Sequence, residues 1–342
     1  DVINTKISMI FTISGTYKIQ YIDSVFLKNE VLNFGGNPCF SVSGLSSSLF
    51  FINATFSNNS ASEDSTHITF SGVKIIFYDS RFLNNNPNDL QSETSGIIFE
   101  GEEIRFYSSI FFSNSALKGN MIYVIKSFEA KTTTILIHDC QIIDNSGTDP
   151  CIFILDVTKL FFNMTISNIS NNIGKTGGFL AGIYYGSEDN PYFYYWYDCL
   201  FLNNKAESGG SINLNVWAGF YYLYNCSFIG NSAIRSGGAL FFYAESTFYF
   251  NTIYCLFRNN KANMAGAIAN ILGNYIDQGS LFEENSANQV STLTASSYAT
   301  VTLDGTKIFR GKSKKANNIM IINIAVFYAK NLWIENCESV TN

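Results

Sequence analysis

The side chains of this chain that could do chemistry are few and evenly dispersed. Asp23, Asp79, Asp139 and Asp198 recur at one position of a repeating pattern, and Asn53, Ser108, Ile166, Asn225 and Tyr254 fill that position in the other copies. A glycoside hydrolase needs two carboxylates about 5–9.5 Å apart. A polysaccharide lyase needs Ca²⁺-binding carboxylates beside an Arg or Lys base. If copies stack at the strand spacing, carboxylates on alternate copies lie about 10 Å apart. That spacing keeps like charges apart and suits neither mechanism. Asp79 is followed two residues later by Arg81, the arrangement of a surface ion pair. Histidine occurs only at His67 and His138; period-two counting turns His138 into the core.

Seven cysteines are too many by one for a closed disulfide framework, and their spacing fits no zinc motif. Neither a metal nor another cofactor is implied. Cys199, Cys226 and Cys255 share one position of the repeat, with Cys140 two copies before Cys199. Stacked copies bring such neighbours within disulfide range. Buried stacked thiols and a bridge, Cys199–Cys226 or Cys226–Cys255, are the two readings. Cys39, Cys151 and Cys337 have no evident partner. Sequons for N-glycosylation occur at Asn53, Asn58, Asn163, Asn168 and Asn225, no more than chance gives in so Asn- and Ser-rich a chain. Asn53 and Asn225 stand in an outward-facing register, where a glycan could be accommodated.

One stretch stands apart. "YYGSEDNPYFYYWYDC" (184–199) reads as a loop jutting from the repeat and then an aromatic strand, 184–197 together. Half of such a strand faces outward, and exposed aromatics can stack on sugars or pack on a protein. Counting by twos selects Tyr194 and Trp196, with Trp217 one copy later, as ligand-facing. The plainer alternative is that tyrosine simply favours strand surfaces.

What must position all of these is a repeat. "FLNNKAESGGSI" (201–212), "FIGNSAIRSGGAL" (228–240) and "FRNNKANMAGAI" (257–268) are versions of one template. Its apolar anchor falls at Phe26, Phe56, Phe82, Phe111, Ile142, Ile169, Phe201, Phe228, Phe257, Phe282, Ile308 and faintly Ile334, at intervals of 25 to 32 residues. Three residues after an anchor comes Asn59, Asn85, Asn114, Asn145, Asn172, Asn204, Asn231, Asn260 or Asn285. Two residues before it stands Ser or Cys, and five after it usually Ala or Gly. Helical repeats would need long Ala-, Leu-, Glu- and Lys-rich segments. The text between anchors is instead short, β-branched, aromatic and punctuated by Gly and Asn.

The expected fold is therefore all-β: one continuous right-handed parallel β-helix over residues 1–342, with eleven or twelve coils of about 28 residues. At the strand spacing these would form a rod about 55–60 Å long. Phe then stacks on Phe and Cys on Cys. The Asn is expected to sit at a sharp left-handed corner and, pointing inward, to bond the Asn of the next coil. An Asn ladder of that kind satisfies polar groups that are costly to bury alone. The Gly pairs Gly177–Gly178, Gly209–Gly210 and Gly237–Gly238 supply a second bend.

Together the F-x-x-N and G-G-A-[ILV] signatures resemble the repeats of the polymorphic outer membrane protein family, and more broadly the pectin-lyase-like β-helices of autotransporter passengers and protist surface proteins. The resemblance covers nearly the whole chain, most clearly 165–290. It implies an extracellular or surface-displayed protein with a structural or adhesive role, part of a larger assembly, and it transfers no catalytic residue.

Composition agrees. Only 14% of residues are charged and 46% are hydrophobic, so Asn, Ser, Thr and Tyr must solvate the exterior. A net charge of −6 without a basic stripe excludes a nucleic-acid partner. The most apolar C-terminal run, "IMIINIAVFYA" (319–329), is too short to span a bilayer. The text opens in mid-stride, as an excised piece or mature chain would. Uncapped coils point to further coils or other protein subunits as partners at the ends of the solenoid. Glycans are the alternative partner, on the aromatics, and a polysaccharide lyase or hydrolase is the least supported reading.

Overall fold

The computed structural model describes residues 2–339 except 4–5, 8–10, 15–17, 28–29, 32–39, 62–67, 87–96, 117–120, 126–131, 156, 184–190, 217, 245–247, 271–272, 297–298, 316 and 323–325. Its described residues form a right-handed parallel β-solenoid of about nine coils, about 28 residues each. The eleven or twelve coils expected from the anchors are more than this. Among the described residues there is no helix, hence none able to cross a membrane; the apolar run near residue 320 forms the strands Asn317–Ile322 and Val326–Lys330. The chain divides into two compact units, Asp1–Asn163 and Met164–Asn342.

In the first unit the anchors pair in one parallel sheet: Phe26 beside Phe56, then Phe82, Phe111 and Ile142. A second face is made of long strands, Phe40–Ile52, Ile68–Tyr78 and Ile97–Tyr107, in parallel register. In the second unit the same sheet type runs from Ile169 through Phe201, Phe228, Phe257, Phe282 and Ile308 to Ile334. Most coils there add a short strand such as Lys205–Ser208, an inner strand such as Ile212–Val216 and a longer one such as Gly219–Tyr224.

Why the anchors are Phe follows from the spacing. Parallel strands lie about 4.8 Å apart, and the Phe201–Phe228 and Phe228–Phe257 ring centroids are 4.4 and 5.0 Å apart, within 5° of parallel. A flat ring fills the coil height, so each anchor buries both faces against its neighbours.

The Asn column does for polar groups what Phe does for apolar ones. In the first unit Asn59 Nδ2 donates to Asn85 Oδ1 at 3.0 Å, Asn85 to Asn114 at 2.9 Å, and Asn114 to Asn145 at 3.0 Å. In the second, Asn172, Asn204, Asn231, Asn260 and Asn285 repeat the pattern at 3.0–3.1 Å. Each of these amides is buried, and most also donate to the carbonyl of an anchor one coil below, as Asn231 does to Phe201 at 2.9 Å.

The corner itself lies elsewhere than expected. Left-handed φ falls not on the ladder Asn but on the residue before it: Asn58, Asn84, Ser113, Asp144, Asn171, Asn203, Asn259, Glu284 and Arg310, with φ of 49–56°, and Gly230. A second left-handed residue stands three before every anchor: Asp23, Asn53, Asp79, Ser108, Asp139, Ile166, Asp198, Asn225, Tyr254 and Asn331, with Gly279 and Gly305. A three-residue strand therefore lies between two single-residue bends. Leaving the ladder Asn with extended geometry lets its backbone N–H bond the next Asn side chain, as Asn204 does to Asn231 at 2.9 Å.

The second of each Gly pair is fixed by crowding. A Cβ on Gly210 would stand 2.0 Å from the Gly238 carbonyl oxygen, and one on Gly238 would stand 2.1 Å from that of Gly266.

Candidate functional site

The left-handed residue three before each anchor decides which side chains reach the surface. A strand alternates sides, but one left-handed residue resets the alternation. The residue before the bend and the bend residue both face solvent. Upstream of it the phase is therefore opposite to that counted from the anchor.

The strand Tyr192–Tyr197 shows the consequence. Tyr192, Tyr194 and Trp196 are wholly buried, while Phe193, Tyr195 and Tyr197 are half-exposed. The expectation that Tyr194 and Trp196 face a ligand is thus overturned. Tyr194 stacks inside on Tyr221 at 4.8 Å and on Trp196 at 5.2 Å. Trp217, and the loop expected over residues 184–190, lie outside the described residues. His138 is corrected for the same reason: it is exposed, just before the bend at Asp139, with its ring 6.3 Å from Tyr107.

Phase aside, there is an outward aromatic face. Tyr192–Tyr197 pairs with Gly219–Tyr224, which pairs with Phe248–Ile253. Phe193, Phe220 and Tyr249 form one outward column, with ring centroids 5.3 Å apart at both steps. Tyr195 and Tyr222 form the next at 5.3 Å, and Tyr197 and Tyr224 the third at 6.3 Å. Asn251 and Ile253 complete the last two columns. None of these outward residues is charged. Burial, with the neighbouring Tyr222 and Tyr197 phenols, raises the pKa of Tyr195. The signal sequence reading overlooked was the corner column itself, whose Asp, Asn and Gly are the residues that tolerate left-handed backbone.

The corner column next to this face is polar and internally bonded. Asn225 Nδ2 donates to Asp198 Oδ1 at 2.6 Å. Corners of the first unit are bonded in the same way, Asn53 Nδ2 to Asp23 at 2.8 Å and Ser108 Oγ to Asp139 at 3.2 Å. Of the sequon residues, Asn53, Asn58 and Asn225 are exposed at left-handed corners. Asn163 and Asn168 are only half-exposed, and the Oδ1 of each is buried.

Cys140, Cys199, Cys226 and Cys255 are buried and joined in no disulfide. Each Sγ lies 3.2–3.5 Å from the carbonyl two residues earlier, where Ser80, Ser109 and Ser167 place a hydroxyl at 2.9–3.0 Å. The column is a set of small donors to the bend's carbonyl. Burial, and then the adjacent Cys199 and Cys255, push the Cys226 thiol well above its usual pKa. Cys151 is likewise buried, Cys337 is partly exposed, and Cys39 lies outside the described residues.

In two ionisable clusters burial competes with hydrogen bonding. In the first unit Glu103 lies 2.8 Å from Lys74 Nζ and also pairs with Arg105. Partial burial opposes its charge, but the bonds from Lys74 and Arg105 outweigh that and hold it below the ordinary carboxylate range. In the second unit Asp277 is wholly buried, accepting from Thr252 Oγ1 at 2.5 Å and from Thr306 Oγ1. Its position is filled by Trp196 and Leu223 in other coils, and burial raises its pKa. Among the described residues no cluster of His, Cys, Asp or Glu is arranged to hold a metal ion.

Comparison with protein-family models, with curated proteins and with solved structures finds no match.

Proposed function

We propose that this protein is a non-enzymatic β-solenoid displayed outside the cell, with a structural or adhesive role in a larger surface assembly. The observation that carries the reading is the neutral aromatic face. Seven rings, none of them needed to fill the core, project from a rigid parallel sheet in register over three coils. Aromatic side chains left at a surface favour contact with a partner. The similarity of the F-x-x-N and G-G-A-[ILV] repeats to those of polymorphic outer membrane proteins supports the extracellular setting.

The corner carboxylates support a passive scaffold over a polysaccharide lyase or hydrolase. Those of Asp23, Asp139 and Asp198 are engaged by Asn or Ser of adjacent coils.

Antibody labelling of intact cells that make the protein tests the location. Staining before permeabilisation is expected, and staining that requires permeabilisation would overturn it. Release of new reducing ends or unsaturated products from acidic polysaccharides with Ca²⁺ would overturn the non-enzymatic part.

A further inference from the structure

We propose that the outward aromatic face of the second unit is a binding site for an uncharged oligosaccharide, seated across Phe193, Tyr195, Tyr197, Phe220, Tyr222 and Tyr249. This deepens the adhesive reading and rests on it.

Ring geometry is the first support. Touching aromatic planes are about 3.5–4.0 Å apart, but the Phe193–Phe220, Phe220–Tyr249 and Tyr195–Tyr222 centroids are 5.3 Å apart with planes within 10° of parallel. The rings are therefore offset like shingles, and each stays partly exposed. Partial ring faces beside phenol hydroxyls match the alternation of C–H faces and hydroxyl edges on a pyranose.

Charge is the second. The outward positions of Tyr192–Tyr197, Gly219–Tyr224 and Phe248–Ile253 carry no ionisable group that is charged at neutral pH, in a chain of net charge −6. An acidic polysaccharide would find no cation there, and the Asp198 carboxylate at the adjoining corner is engaged by Asn225.

Area decides between a sugar and a protein. Three outward columns about 6.6 Å apart on strands about 4.8 Å apart cover on the order of 300 Å². A stable protein interface needs about 800 Å² from each partner, so a second copy of this chain has too little to hold. A sugar chain of a few residues fits the patch.

The test uses the full chain with xylo-, cello- and chito-oligosaccharides as probes, measured by calorimetry and by array, with polygalacturonate as the acidic comparison. At least one neutral probe is expected to bind, with affinity unchanged in 0.5 M salt. Tyr195→Ala combined with Tyr222→Ala should weaken it tenfold or more. Tyr222→Glu, which keeps an exposed polar side chain, should do the same, and circular dichroism checks the fold of both variants. Failure of every neutral probe to bind would overturn the proposal, as would preference for polygalacturonate or indifference to both variants. Concentration-dependent dimerisation lost in Tyr222→Glu would overturn it in favour of a second copy. Because the measurement is made in solution, none of these results depends on where the cell places the protein.

Discussion

At the scale of the residue, the solenoid turns single side chains into columns, so a change at one position is felt by its neighbours above and below. Asn231 is the clearest case. Its Oδ1 accepts from Asn204 Nδ2 at 3.1 Å and Ser211 Oγ at 2.8 Å, and its Nδ2 donates to Phe201 O at 2.9 Å and Asn260 Oδ1 at 3.1 Å. Asn231→Ala strands several buried partners at once, at about 1–3 kcal/mol each before relaxation. A loss of about 3–5 kcal/mol is expected in urea unfolding, and a loss under 1 kcal/mol would show that the ladder is ornamental. Asp277 is the opposite case, a carboxyl in a column of otherwise uncharged side chains. Burial raises its folded pKa above the unfolded value. Its contribution is then fully present below the unfolded pKa and is lost as pH rises through the folded one. Asp277→Asn should match the wild type near pH 4 and exceed it by about 1–2 kcal/mol at pH 8. Pairs of melting curves at the two pH values check this, and a variant less stable at pH 8 would mean that the charge is welcome there.

At the scale of the element, the unit of construction is the short anchor strand between two left-handed bends, and the bends are not all equally well made. Ile166 holds φ of 50° as a β-branched residue and is 56% exposed, where most other coils use Asp, Asn or Gly. Left-handed backbone costs such a residue about 1–2 kcal/mol, and little burial is lost on replacement. Ile166→Asn is expected to raise the melting temperature by a few degrees; a lower one would mean that Ile166 packs on something. The same bends explain what could be read from the sequence. The anchors, the inward Asn column and the parallel stacking were legible because each repeats a residue type at a fixed offset. The facing of everything upstream of the bend was not. Period-two counting passes through the left-handed residue without noticing it, and one missed reset reversed Tyr194, Trp196 and His138 together. Asp277 was illegible for another reason: nothing in its coil warns that a carboxyl has been placed where Trp196 and Leu223 sit in their own coils, and the hydroxyls that satisfy it come from two other coils.

At the scale of the whole molecule, a solenoid whose contacts run only between neighbouring coils should tolerate loss of a complete coil and reject loss of half of one. Deleting Leu202–Phe228 joins the anchor Phe201 to Ile229 and leaves every column in phase. Trp196 then faces Thr252, Cys199 faces Cys255, Phe201 faces Phe257, and the inner strand from Leu180 meets the one from Leu240, as the registers on either side require. Asn231 takes the place of Asn204 beneath Asn260, and Gly178 comes to lie below Gly238. The cost is one coil's worth of nearest-neighbour contact, so the shortened chain should keep a strand-dominated circular dichroism spectrum, remain soluble and melt only several degrees lower. Deleting only 202–214 removes Asn204 and the Gly pair and joins Phe201 to Asn215, so that the strands on either side of the junction no longer meet their partners. Loss of the folded spectrum or aggregation is expected. If the two deletions behave alike, either both folded or both lost, the coil is not the repeating energetic unit, and stability must depend on contacts that reach beyond adjacent coils.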